Sequence, residues 1–233
     1  MFRIAIFSDV HGNKEALEAI LTSIEKTDFD EVICLGDVIG LGPNPKECLD
    51  LIRENHIKLV LGNHERYYLN GTHNEKQMTI EERAHHAWVA SQLDLSHKEY
   101  LQKLDICLEM TLNDQKIAFM HYPFDKVEND FYTPKKLTEE HVRRVFRNYA
   151  NDFTFMGHFH QDDFYKSENE RVYVNLSSIG CTKDNIATYT IFAFDGEDFS
   201  IYRKKCIYDR KKFEEKLESI SYPAREEIRK IFF

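Results

Sequence analysis

At five places in this sequence a short apolar run ends on side chains able to bind a metal ion, often beside a glycine. They are Phe7-Ser8-Asp9-Val10-His11, Leu35-Gly36-Asp37, Leu61-Gly62-Asn63-His64-Glu65, Phe119-Met120-His121 and Met156-Gly157-His158-Phe159-His160. Each alone admits a plainer reading. A single histidine after a strand is more often a packed residue, and Gly36-Asp37 could be a turn or a helix cap. The two i, i+2 pairs say more, because Asp9 with His11, and His158 with His160, point to one side of an extended chain and can chelate one ion. Ligands of open α/β sheets bind beyond the carboxyl ends of the strands. Five strands delivering Asp, His or Asn to that edge are what a metal centre requires.

The intervening sequence supplies the elements to hold them there. An apolar run at Phe2–Phe7 gives way to a helical pattern over Asn13–Lys26, with Ala16, Leu17, Ile20, Leu21 and Ile24 on one face. A second run, Glu31–Leu35, precedes a helix over Pro45–Glu54 and a third run at Ile57–Leu61. That is βαβαβ order, which predicts a parallel sheet with helices on its faces. Glu65–Leu104 reads as mostly helical. Strands follow at Ile106–Leu112, Lys116–Met120, Phe153–Met156, Asp162–Lys166, Arg171–Asn175, Thr188–Asp195 and Asp198–Arg203, with hairpin turns at Asn113-Asp114-Gln115 and Asp195-Gly196-Glu197. A helical tail from Asp209 breaks near Pro223. These elements add up to two sheets face to face with helices outside.

No repeat or linker interrupts the 233 residues, so residues 1–233 are read as one domain. Hydrophobic residues make up 42% and charged residues 30%, a globular balance, and no apolar run approaches the length of a membrane span. No signal peptide is evident, and the five cysteines are scattered without a C-x-x-C pair, which predicts reduced thiols and a cytoplasmic protein. The net charge of −9 argues against long nucleic acid as a partner. The basic groups at Arg143-Arg144 with Arg147, and at Arg210-Lys211-Lys212, read as solvated helix faces. The apolar end Ile231-Phe232-Phe233 either folds back on the core or joins a homo-oligomer interface.

The order D-x-H, G-D, G-N-H-E, H, G-H-x-H resembles the calcineurin-like metallophosphoesterases. The stretch Gly36-Asp37-Val38-Ile39-Gly40-Leu41-Gly42-Pro43 is similar to their small prokaryotic phosphodiesterase branch. The resemblance runs from Phe2 to about Gly180 and implies a four-layer αββα sandwich with metals at the strand ends. Position by position, it implies one metal on Asp9, His11, Asp37 and His160 and a second on Asp37, Asn63, His121 and His158, with Asp37 bridging. Two ions about 3.5–4 Å apart can hold a hydroxide between them and clamp the phosphoryl oxygens. The mixed imidazole and carboxylate set favours two transition-metal ions, Mn, Fe or Zn with Mn as the first choice, over Mg. By the same resemblance His64 faces the phosphate, stabilising the transition state or protonating the leaving oxygen, with Glu65 as its support or a helix-start charge.

The expected activity is therefore hydrolysis of a small phosphodiester or nucleotide. Hydrolysis of a dinucleoside polyphosphate or a nucleoside di- or triphosphate is the alternative, which similar chains perform. A binding scaffold, as one retromer coat subunit of this fold is, belongs to a different class; it goes with eroded ligands, and here every ligand position is filled. Asn63, His64, Tyr67 and Tyr122 are the expected substrate contacts, with Tyr68 and His73 also within reach. Two departures stand out from the family pattern. Tyr122-Pro123 follows His121 where small residues are usual, and Asn175-Leu176-Ser177-Ser178 replaces N-P-G-S. Of the other histidines, His85 and His86 are expected on a packed or surface helix face.

Overall fold

The computed structural model describes residues 1–72, 78–125, 130–132, 138–146, 149–167, 170–221 and 223–232. The chain begins with β1 (Phe2–Phe7), α1 (Lys14–Ile24), β2 (Glu31–Cys34), α2 (Pro45–Glu54) and β3 (Lys58–Leu59). Next come three helices, α3 (Asn63–Asn70), α4 (Ile80–Gln92) and α5 (Leu95–Leu101). A strand-rich stretch follows, with β4 (Cys107–Leu112), β5 (Gln115–Met120), β6 (Phe124–Asp125), β7 (Asp130–Phe131), α6 (Glu139–Phe146), β8 (Phe153–Met156), β9 (Asp163–Lys166) and β10 (Val172–Asn175). The chain closes with β11 (Ile186–Phe194), β12 (Phe199–Ile207), α7 (Arg210–Ser219) and α8 (Arg225–Phe232).

Two mixed five-stranded sheets result, ordered β12-β11-β1-β2-β3 and β4-β5-β8-β10-β9. The expected βαβαβ unit is present, with β1, β2 and β3 parallel. Both expected hairpins form, as β4 with β5 and β11 with β12. The third run yields only the two-residue β3, because after Val60 N donates to Cys34 O the chain leaves β2 and Leu61 N donates to Asp105 O. The long helical stretch resolves into three helices. The first ends at Gly71, whose φ of 77° is a left-handed value that suits glycine. The second starts with a Thr79–Glu82 capping box. The β6–β7 ribbon and α6 were not anticipated; each is short, and residues between them lie outside the described set.

Strand alternation builds the layers. In β1, Ile4 and Ile6 face the second sheet, while Ala5 and Phe7 face the helices; in β5, Ile117 and Phe119 face inward and Ala118 and Met120 outward. The inner layer is closed by Phe153, Phe155 and Phe192, with Phe119 and Phe155 stacked at a ring-centroid distance of 5.4 Å. Helices α1 and α2 cover the first sheet, and α6 covers the second through Val142 and Phe146. This is the expected four-layer αββα arrangement. No helix among the described residues is long and apolar enough to cross a membrane.

The layering places β1, β2, β5 and β8 so that the segments leaving their carboxyl ends meet at one edge. Because Phe155 is fully buried between the sheets, Phe155→Ala is expected to cost about 3–5 kcal/mol. Urea unfolding followed by circular dichroism reads this directly.

Candidate metal centre

Three of the five ligand segments leave their strands through left-handed turns. Asp9, His11, Asp37, His158 and His160 have φ values of 57°, 46°, 53°, 75° and 55°. Non-glycine residues rarely adopt this region, and it costs free energy that surrounding structure must offset. Here the turns bend the chain back so that side chains from different strands converge. Close approach also demands glycine at two places: a Cβ on Gly62 would overlap Asp37 Oδ1, and one on Gly157 would overlap Ser8 and Asp9.

The predicted ligands form one buried cluster with two lobes. In the first, His11 Nε2 and His160 Nε2 are 2.9 Å apart. Asp9 Oδ1 lies 3.7 Å from His11 Nε2 and 3.3 Å from His160 Nε2. In the second, His121 Nε2, His158 Nδ1 and Asn63 Oδ1 lie within 2.9–3.2 Å of one another. Asp37 Oδ2 stands between the lobes, 3.8 Å from His11 Nε2 and 3.3 Å from His121 Nε2. All seven residues named from the sequence are therefore brought together.

Neighbouring groups set the orientation of these donors. His121 Nδ1 donates to Leu35 O at 2.9 Å, which turns its other nitrogen into the cluster. Asp9 Oδ2 accepts from His158 N at 3.1 Å, leaving Oδ1 fully buried without a hydrogen-bond partner among the described residues. Asp37 Oδ1 accepts from His64 N at 2.9 Å.

Glu65 caps the start of α3, as its expected helix-start position implies, and adds a reach to residues 37–39 that the sequence did not show. It is fully buried, and its carboxylate accepts from Asp37 N at 2.9 Å, Val38 N at 2.8 Å, Ile39 N at 3.1 Å and Gly62 N at 2.9 Å. One side chain thus caps the start of α3 and holds the Asp37 loop against it.

The electrostatics fit cations. Burial disfavours the charge on Asp37, yet His121, His64 and His11 hold it well below the usual carboxylate range. Burial also opposes charge on His121, but Asp37 and Asp9 together push its pKa up to about 9. His160, likewise opposed by burial, is raised to about 11 chiefly through Asp9 and Cys181. A field that retains protons on His121 and His160 is one in which a metal ion would be held in their place, while burial keeps His11 and His158 below the ordinary imidazole value as neutral donors. The donor set of carboxylate, imidazole and one amide oxygen suits Mn, Fe or Zn.

A cleft of about 250 Å³ opens beside the cluster. Asn63 and His64 line it together with Tyr67 and His86, with Ala224, and with Ile228 and Ile231 of α8. The His64 ring centroid lies 4.9 Å from that of His11, 5.7 Å from Tyr67 and 5.1 Å from His86. Burial, with Asp37 pulling the other way, keeps the pKa of His64 well below the ordinary imidazole value.

His85 and His86 were expected on a packed or surface face, and both line the cleft; His85 also packs, stacked on Trp88 at 5.8 Å. Tyr122 is 1% exposed and stacks on His158 at 5.6 Å, outside the cleft lining. Its ring therefore backs the His158 imidazole. Tyr68 is half-buried, its hydroxyl 3.5 Å from Asp94 O, and is also outside the lining. His73 lies outside the described residues. The Asn175–Ser178 loop is pinned to the cluster, with Ser178 Oγ donating to Asp9 O at 2.6 Å.

Residues 2–197 match the profile described as the calcineurin-like phosphoesterase superfamily domain. The chain is 30% identical to an uncharacterised protein of Methanocaldococcus jannaschii over 228 residues, covering 92% of this chain and 91% of that one. The structure superposes with a TM-score of 0.72 on a metallophosphoesterase from Sphaerobacter thermophilus, at 23% identity over 99% of this chain and 98% of that one. It superposes with a TM-score of 0.82 on a hypothetical protein from Pyrococcus horikoshii OT3, at 20% identity over 100% and 98% of the two chains.

Glu65→Gln keeps the shape of the side chain but offers one acceptor oxygen where four N–H groups converge. At about 1–3 kcal/mol for each orphaned buried donor, a loss of at least 2 kcal/mol is expected. Metal affinity should fall with it, because the Asp37 loop loosens. Denaturant titration alongside metal analysis checks both. Wild-type stability in the variant would remove Glu65 from this role.

Proposed function

The chain belongs to the calcineurin-like phosphoesterase superfamily, and we propose that it hydrolyses a small phosphodiester at a dinuclear centre formed by Asp9, His11, Asp37, Asn63, His121, His158 and His160. The observation that carries this reading is the position of Asp37 Oδ2 between two groups of imidazole and oxygen donors. When bound, two transition-metal ions would supply a nucleophile from water at neutral pH and neutralise charge on the phosphoryl oxygens.

The protein's own groups do the rest. Asp37 sets the spacing of the two lobes, and the Leu35 carbonyl fixes the His121 tautomer. His64 stands where the cluster meets the cleft, so an ester oxygen passing from one to the other comes within its reach. Its role in this reading is to hydrogen-bond or protonate that oxygen.

The cleft favours a diester over a polyphosphate. Among the described residues no Lys or Arg lines it, whereas Glu82 and Glu227 do. Additional phosphates would meet carboxylates there rather than the cations that usually bind them. Tyr67, His86, Ile228 and Ile231 instead suit the uncharged alcohol part of an ester.

Three measurements test this reading. Metal-depleted protein should regain hydrolysis of bis-p-nitrophenyl phosphate as about two Mn, Fe or Zn ions bind per chain, and Asp37→Asn should bind fewer ions and lose most turnover. A fully active Asp37→Asn with full metal content would end the proposal. Loss of His64 should matter most for poor leaving groups: His64→Ala is expected to slow alkyl or nucleoside esters by about 10²–10⁴, and nitrophenyl esters much less. Equal losses would move His64 from leaving-group protonation to stabilisation of the phosphoryl oxygens. Tyr67→Ala should raise KM or reorder substrates with metal content unchanged.

A further inference from the structure

The first lobe of the cluster contains a donor that the seven expected ligands do not include. Cys181, His11 and His160 offer one sulfur and two nitrogen atoms that all lie within 4.8 Å of one another. The buried Asp9 Oδ1, without a hydrogen-bond partner among the described residues, points into the same space. Cys181 is the only cysteine in such a donor group among the described residues. Cys34, Cys48 and Cys206 are buried in the core beneath the helices of the first sheet, and Cys107 packs against the outer core of the second.

The backbone holds the sulfur in register with the ligands. Cys181 N and Gly180 N both donate to Ser178 Oγ, at 2.8 and 3.2 Å, while Ser178 Oγ donates to Asp9 O. Ile179 N donates to Ser8 O and Gly180 N to Asp9 O, each at 3.1 Å. Asn13 Nδ2 donates to Gly180 O at 2.9 Å. The segment before Cys181 is therefore bonded on both sides to the turn that presents Asp9 and His11.

We propose that Cys181 is an additional ligand to the cation held by Asp9, His11 and His160, making that half of the centre selective for a thiophilic ion such as zinc, cobalt(II) or iron(II) over manganese. The proposal rests on the metal-centre reading above and deepens it. Zinc–sulfur and zinc–nitrogen bonds of about 2.3 and 2.0–2.1 Å put the two donor atoms of a shared ion roughly 3–3.5 Å apart, inside the spread seen here. On binding, the Cys181 S–H bond breaks, its proton passes to solvent, and the sulfur lone pair forms the metal bond; no oxidation occurs. Thiolate is a soft donor, so it discriminates among ions that carboxylate and imidazole alone separate poorly.

Cobalt(II) makes the question spectroscopic. The full-length protein, metal-depleted and given two equivalents of cobalt(II), is expected to show visible d–d bands and a near-ultraviolet sulfur-to-cobalt charge-transfer band. Cys181→Ser and Cys181→Ala should lose the charge-transfer band, whether or not they keep both ions. In competition they should also lose about tenfold or more of the preference for zinc over manganese, the scale on which groups around a metal tune its affinity. A wild-type spectrum with d–d bands and no charge-transfer band overturns the Cys181 assignment and leaves the centre standing. The same holds for a band that survives in either variant. Absence of bound cobalt in the wild type would instead overturn the metal-centre reading, and the Cys181 assignment with it.

Discussion

Asp9, Asp37 and Glu65 bring three carboxyl groups to one edge of the two sheets, where they are 0, 2 and 0% exposed. Charge at that depth is costly unless it is paired or richly hydrogen-bonded, and each group meets the demand differently. Glu65 takes four backbone N–H groups, though burial first and the nearby Asp37 second still push its pKa up to about 7. Asp37 and Asp9 are surrounded by imidazoles from β5 and from the turns after β1 and β8. The sandwich, the turns and the glycines that let backbones close up all follow from putting this much negative potential in one dry place. Cations are the natural complement, which is why the geometry reads as a binding site rather than a packing accident.

Most of this was legible because the ligand motifs follow rules that local sequence expresses. Apolar runs ending in Gly-Asp, Asp-x-His or Gly-His-x-His carry both the strand and its terminus, and period-2 alternation in β1 and β5 distinguishes their two faces. The parallel unit and both hairpins could be read for the same reason. What escaped was set by tertiary pairing. Glu65 sits at the third position of a helix start, where an acid is ordinary, and nothing local says that it also reaches across to residues 37–39. The φ values of Asp9 or His158 likewise depend on what the turn must reach.

The cleft was the least legible part, because its walls come from remote segments. His85 and His86, one helical step apart, both reach the cleft, and His85 stacks on Trp88 as well. Helix α8 is amphipathic in a way any surface helix could be; only its contact with Phe213 and Leu217 of α7 brings Ile228 over the site. Tyr122 shows the reverse case. Its place after His121 suggested a substrate contact, but a β-strand end alternates its side chains, so the residue after His121 points back into the outer core beside Phe146.

The sheet order has a consequence for how the chain reaches this state. β1 is an interior strand whose second neighbour is β11, with Phe2 opposite Phe194 and Ile6 opposite Thr190. During synthesis at about 5–20 residues per second, one flank of Phe2–Phe7 therefore stays open for roughly 10–40 seconds before its partner emerges. The strand is apolar throughout except for Arg3, so an unpaired edge there is a template for pairing between nascent chains on one polysome. Until β11 arrives, the same turn that will present Asp9 and His11 is anchored on one side only. Expression yield should accordingly respond more to growth temperature and chaperone supply than the stability of the finished protein would suggest.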